Sequence, residues 1–137
     1  MGRTTKVIAI TTLAISAGIA TVPAHALSER FPKRPMAMGL KAYAHILFLG
    51  QGADNRQWSC LNKVWTMESH WNYKARNKNG GAYGIPQALP AIKMAIQGND
   101  WETNPYTQIQ WGLRYIKYHW QGNACRALRN ELERGFY

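Results

Sequence analysis

Glu68 has the most chemically suggestive setting in the chain. The segment from Gln57 to Trp71 has the spacing of an amphipathic helix. Stepping about 100° per residue from Trp58 gathers Cys60, Leu61, Val64, Trp65, Met67 and Trp71 on one arc, while Ser59, Asn62, Lys63, Thr66, Ser69 and His70 fill the other. Glu68 falls at about 280°, in the middle of the apolar arc, and the nearest base in sequence, Lys63, lies off it at about 140°. A carboxylate so placed is either satisfied by a buried donor or cation, or it faces a cleft. With no cation at hand, partial burial raises its pKa, which a general acid working near neutral pH requires. A satisfied structural glutamate is the other reading of the same periodicity.

The elements that must position Glu68 read as helices. Leu40, Tyr43, Ala44, Ile46, Leu47 and Leu49 mark a first helix, ended by Gly50 and Gly52. Asp54 and Asn55 are cap residues for the helix that carries Glu68. From Ser69 to Ala88 the chain is rich in Gly and Asn and reads as loop. Pro90 opens a short helix that Gly98 closes. Asn104 and Pro105 form a cap and first-turn pair for a long helix to about Trp120. A last helix runs from Asn123 to Glu133 and carries Cys125. No segment alternates with period two, so the fold class expected is mainly α, with any β element confined to the Gly-rich region.

Glu68-Ser69-His70-Trp71-Asn72, then Ala75 and Asn77, then the run Gly81-Ala82-Tyr83-Gly84-Ile85-Pro86-Gln87-Ala88-Leu89-Pro90, resemble the active-site blocks of the soluble lytic transglycosylase family. Cys60 and Leu61 upstream, and Trp111, Gly112, Leu113, Tyr115 and Ile116 downstream, have counterparts in its small secreted branch, so the similarity spans 36–137. Several blocks in order carry more weight than any one. The resemblance implies a lysozyme-like fold and cleavage of peptidoglycan glycan strands. It implies that Glu68 is the acid and base, that Ser69 helps hold its carboxylate, and that Gly84 and Gln87 line the glycan cleft, with Asn77 standing where many relatives have Ser. Ile85 and Pro86 replace the usual Leu and Met, and the proline stiffens that loop.

Physical reasons point the same way. Gly80, Gly81 and Gly84 permit close backbone approach to a sugar, although turn formation alone also accounts for them. Gln87 offers both a donor and an acceptor, as an N-acetyl group requires. Tyr83 and Tyr115 are expected to face the cleft, Tyr115 chiefly through the resemblance, while the other aromatic residues read as core. Two-carboxylate glycosidases need a second acidic residue. Of the central candidates Asp54, Asp100 and Glu102, none sits in a motif block. The expected chemistry is therefore a single-acid cleavage ending in a 1,6-anhydro sugar, with no metal or organic cofactor. A hydrolytic lysozyme using Asp54 or Asp100 to position water is one alternative, and a non-catalytic wall-binding module is another.

Length and composition set the frame: 137 residues suffice for one core. Arg3 and Lys6 precede an apolar stretch from Val7 to Val22, and Pro23, Ala24, His25 and Ala26 follow, the pattern of a signal peptide over residues 1–26. At about 16 residues, the stretch is shorter than a membrane anchor needs. Residues 27–35 read as a flexible basic leader and 36–137 as the domain. Cleavage would remove two of the 17 basic residues and none of the 7 acidic ones, leaving a net charge of about +8. Such a chain, expected to be monomeric, is drawn to anionic wall polymers; no nucleic-acid motif accompanies the charge. An even pair of cysteines, Cys60 and Cys125, in an exported protein reads most simply as one disulfide, with two buried thiols as the alternative. The four histidines show no metal-ligand spacing.

Overall fold

A computed structural model describes residues 38–137, so the expected signal peptide and basic leader lie outside the described residues. Among the described residues, four α-helices and one 3-10 helix form a small all-α domain. They are α1 (Leu40–Gly50), α2 (Asn55–Ser69), the 3-10 helix (Ala91–Ile96), α3 (Pro105–His119) and α4 (Ala124–Arg134).

Short polar residues start three of the helices, because their side chains satisfy first-turn N–H groups that have no partner within the helix. Asp54 accepts from the Gln57 amide at 2.8 Å, Asn104 from Tyr106 at 3.0 Å and Asn123 from Arg126 at 2.9 Å. Pro105 fills the first turn of α3, where its missing N–H costs nothing. The element expected after Pro90 takes 3-10 geometry.

The helix carrying Glu68 ends at Ser69, two residues earlier than its hydrophobic spacing predicts. His70 and Trp71 both have positive φ, 52° and 63°, which reverses the chain. For non-glycine residues this costs on the order of 1–3 kcal/mol each and persists only when the surroundings enforce it. Here the His70 amide donates to Thr66 O and the Trp71 amide to Trp65 O, so both left-handed residues are tied back to the last turns of the helix. The Trp71 indole is buried, packs edge-on to Trp65 and donates to Asn62 Oδ1 at 3.0 Å.

Among the described residues the Gly-rich region forms no sheet. Its β content is two isolated antiparallel bridges, Arg76 with Tyr83 and Tyr83 with Ala88. Of the arc expected to be apolar on α2, Leu61, Val64 and Trp65 are fully buried, but Met67 is 44% exposed. Met67 stands at the edge of that arc, where the neighbouring elements do not cover it.

α2 packs most extensively on α4, α1 on α3 and α2, and the 3-10 helix on α3. The main core holds Leu61, Val64, Trp65, Trp71, Ile85, Ile109, Leu113 and Ile116 with residues of α1 and α4. A smaller cluster holds Tyr83, Ala88, Met94, Trp101 and Trp111, and Tyr115 packs against both. Gly112 permits the close approach of α3 to α2: a Cβ there would lie 2.5 Å from the Trp65 ring and 3.2 Å from Pro86. The Cys60–Cys125 disulfide ties the middle of α2 to the start of α4. Among the described residues, no helix is long and apolar enough to cross a membrane.

Candidate active site

Glu68 lies in the last turn of α2, half-buried. Its carboxyl is pushed up to about 8, first by burial and then by a second carboxyl, that of Glu131, which both repels its charge and hydrogen-bonds to it. Near neutral pH Glu68 therefore carries a proton. A raised acid with no compensating cation is what its place on the helix predicts; the partner is not.

Glu131 escapes the sequence reading, yet it carries the same signal as Glu68. On α4, Ala124, Ala127, Leu128 and Glu131 share one stripe at helical spacing, and the first three are buried or partly buried against the core. A carboxylate on that stripe must meet something. What it meets is Glu68, because α2 and α4 pack together.

Tyr137 is the second residue missed, and no periodicity could have marked it, since it lies beyond the last helix. Its hydroxyl donates to Pro86 O at 2.9 Å and accepts from the Trp65 indole at 3.0 Å, while its carbonyl accepts from the Tyr115 hydroxyl at 3.3 Å. One residue thus links α2, the Gly-rich loop and α3. Burial and the nearby Glu68 charge raise the Tyr137 phenol well above its usual range, so it stays a donor.

The Gly-rich loop is fastened to α2 by Ser69, whose buried hydroxyl faces Ile85 O at 2.9 Å and Trp65 O at 3.2 Å. This corrects the role expected for Ser69: its proton is committed to backbone carbonyls that hold the loop, not to the Glu68 carboxylate. Gly84 has φ 80°, and a Cβ there would run into the Gln108 carboxamide. Gln108 is fully buried and fully satisfied: its oxygen accepts from Ile85 N at 2.9 Å, and its amide donates to Tyr73 O and Trp101 O at 2.9 and 2.8 Å. A buried polar group with three good bonds fixes the backbone around it. Gln108 too was legible in principle, as a polar side chain on the buried face of α3.

The other expected site residues divide. Tyr115 is half-buried and its phenol is raised by burial. It stacks between Trp111 and His119, at 5.4 and 4.8 Å between ring centres. With Trp111, Arg114, Tyr118 and His119 it lines an open concavity of about 360 Å³. Gln87 commits its amide to Gly84 O at 2.9 Å and Ala75 O at 3.2 Å, so it presents an acceptor rather than both functions. Tyr83 does not face a cleft: it is 8% exposed, donates to Glu102 O at 2.9 Å and packs edge-on to Trp101. Asn77 is exposed, and its side-chain oxygen accepts from Asn79 and Gly80 amides, organising the turn below the loop.

The acids considered as water-positioning groups are engaged elsewhere. Asp54 caps the far end of α2, about 21 Å along the axis from Glu68 at 1.5 Å per residue. Asp100 accepts from Asn104 and Thr107, both at 2.7 Å, and these bonds hold its carboxyl below the usual range. Among the described residues, no group of three His, Cys, Asp or Glu side chains could hold a metal ion.

Fold and site together define a small, disulfide-linked all-α domain with a carboxyl pair, Glu68 and Glu131, between two of its helices. No family model, curated protein or solved structure matches the chain.

Proposed function

We propose that the protein is a secreted peptidoglycan lytic transglycosylase with a lysozyme-like domain, in which Glu68 is the catalytic acid and then the base. The observation that carries this reading is a half-buried Glu68 that keeps its proton to about pH 8, in a position to donate near neutrality. The substrate class comes from the resemblance of the blocks around Glu68, the Gly81–Pro90 run and Trp111–Ile116 to soluble lytic transglycosylases. The disulfide accords with export.

In this mechanism the Glu68 O–H protonates the oxygen linking C1 of N-acetylmuramic acid to O4 of N-acetylglucosamine. The C1–O bond breaks, and the substrate's own N-acetyl oxygen stabilises the charge at C1. Glu68, now a carboxylate, takes the C6 hydroxyl proton as O6 bonds to C1, which regenerates the acid and leaves a 1,6-anhydro end. One proton leaves Glu68 and one returns, so no water is consumed. The engagement of Asp54 and Asp100 elsewhere favours this route over hydrolysis.

The test is digestion of purified glycan strands, with the products weighed. Anhydro ends, lighter by one water than reducing ends, are expected. Glu68→Gln should lower the rate by about 100-fold or more while wall binding persists. Unchanged lysis by Glu68→Gln would refute the assignment, and reducing ends would redirect it to a hydrolytic muramidase.

A further inference from the structure

The mechanism just given makes no use of Glu131, although that residue is held against its central group. α4 carries Glu131 on the stripe that faces α2, and the Cys60–Cys125 disulfide fixes one helix to the other. Its Oε2 is sealed from solvent, and among the described residues no amide, amine or neutral hydroxyl donates to it. The Glu68 carboxyl is in hydrogen-bonding contact with the group. Two carboxylates in such contact repel, so the contact requires a proton between them.

A direct hydrogen bond between the two carboxyl groups argues against a conventional second-carboxylate role. Retaining glycosidases separate their carboxyl groups by about 5–5.5 Å and inverting ones by about 6.5–9.5 Å, to fit a sugar carbon or a water between them. A carboxyl–carboxylate hydrogen bond, about 2.5–2.7 Å between oxygens, leaves room for neither.

We propose that Glu131 is a positioning residue for Glu68: its carboxylate accepts the Glu68 O–H and holds that proton in place until a glycosidic oxygen takes it. This rests on the reading of Glu68 as the proton donor. After donation, two carboxylates face each other, and their repulsion makes Glu68 a stronger base for the C6 hydroxyl proton. Glu131 itself gains and loses none. The groups that face Glu68 are Glu131 from α4 and Tyr137 from the C-terminal segment, with Tyr115 of α3 joined to Tyr137 and His119 stacked on Tyr115.

The experiment compares the full chain with Glu131→Gln, which keeps shape and removes charge. The Glu68 carboxyl is followed directly by carbon-13 titration, assigned by the signal lost in Glu68→Gln, and kcat/KM on glycan strands is measured against pH. In Glu131→Gln both the Glu68 midpoint and the alkaline limb of kcat/KM should move down by about one pH unit or more, with KM within about twofold. Glu131→Asp, a second variant should the first fold poorly, withdraws the carboxylate by one methylene and should move both in the same direction by less. A midpoint that stays in place in these variants overturns the proposal and leaves the enzymatic reading intact. Absence of glycan cleavage by the unaltered protein at every pH overturns the enzymatic reading and, with it, the catalytic use of the pair.

Discussion

Glu68 links the chemistry of the site to the stability of the fold through one proton. Its folded value of about 8 stands above the ordinary 4.5 of a glutamate in an unfolded chain. Below about pH 4.5 both states hold the proton, and the favourable contribution is complete. Between 4.5 and about 8 the unfolded state has released a proton that the folded state keeps, so stability falls as pH rises, and above that range the loss is complete. Urea unfolding of the unaltered chain should therefore show a midpoint that declines from about pH 5 to pH 9 relative to Glu68→Gln, whose side chain does not titrate. A difference between the two proteins that stays flat with pH would contradict the raised value. Glu68 was legible because a single helix suffices to show a carboxylate on an apolar face. Glu131 carried the same signal on its own helix, but the pairing of the two depends on which faces pack together, and no single segment contains that information.

At the scale of elements, the site is the seam between α2 and α4 with the Gly-rich loop laid across it. Three fasteners hold it: the disulfide, the Ser69 hydroxyl on Ile85 O, and Tyr137 between Trp65 and Pro86. Gln108 acts beneath the loop, where Gly84 leaves space for its carboxamide. The cross-link spans a sequence separation of 65, so reducing it, or replacing both cysteines with alanine, should lower unfolding free energy by up to about 4 kcal/mol. Denaturant melts with and without reductant measure this. No loss on reduction would mean that α2 and α4 hold together by packing alone. The starts of α2, α3 and α4 were readable because Asp54, Asn104 and Asn123 act on amides two or three residues away. The end of α2 was not, because the left-handed His70 and Trp71 are held in part by burial of the Trp71 indole, a tertiary contact.

For the whole molecule, charge governs what surface it meets. With 17 basic and 7 acidic residues, the chain remains strongly positive even without Arg3 and Lys6. The proposed attachment to anionic walls should weaken several-fold as salt rises from about 0.05 to 0.5 M, as the Debye length falls from more than 10 Å to a few Å. Sedimentation with purified walls checks this, and Glu68→Gln should follow the same curve, because half-buried Glu68 is one group among many charges. Binding that ignores salt would point to recognition of the glycan by shape and hydrogen bonds instead.

Local physics is written along the chain, and the sequence alone determined what is local: the helices through their periodicity, most of their ends through caps, glycine and proline, the cysteine pair, and the isolation of Glu68 from cations. Tertiary structure decided what depends on which surfaces meet. It turned Tyr83 into the core, committed the Ser69 proton to the loop, buried Gln108 beneath Gly84, and brought Tyr137 from the end of the chain to Pro86. It also set Glu131 against Glu68, 63 positions apart, because both helices bury the faces that carry them. An apolar stripe says that a face will be covered, but only the folded packing says by what.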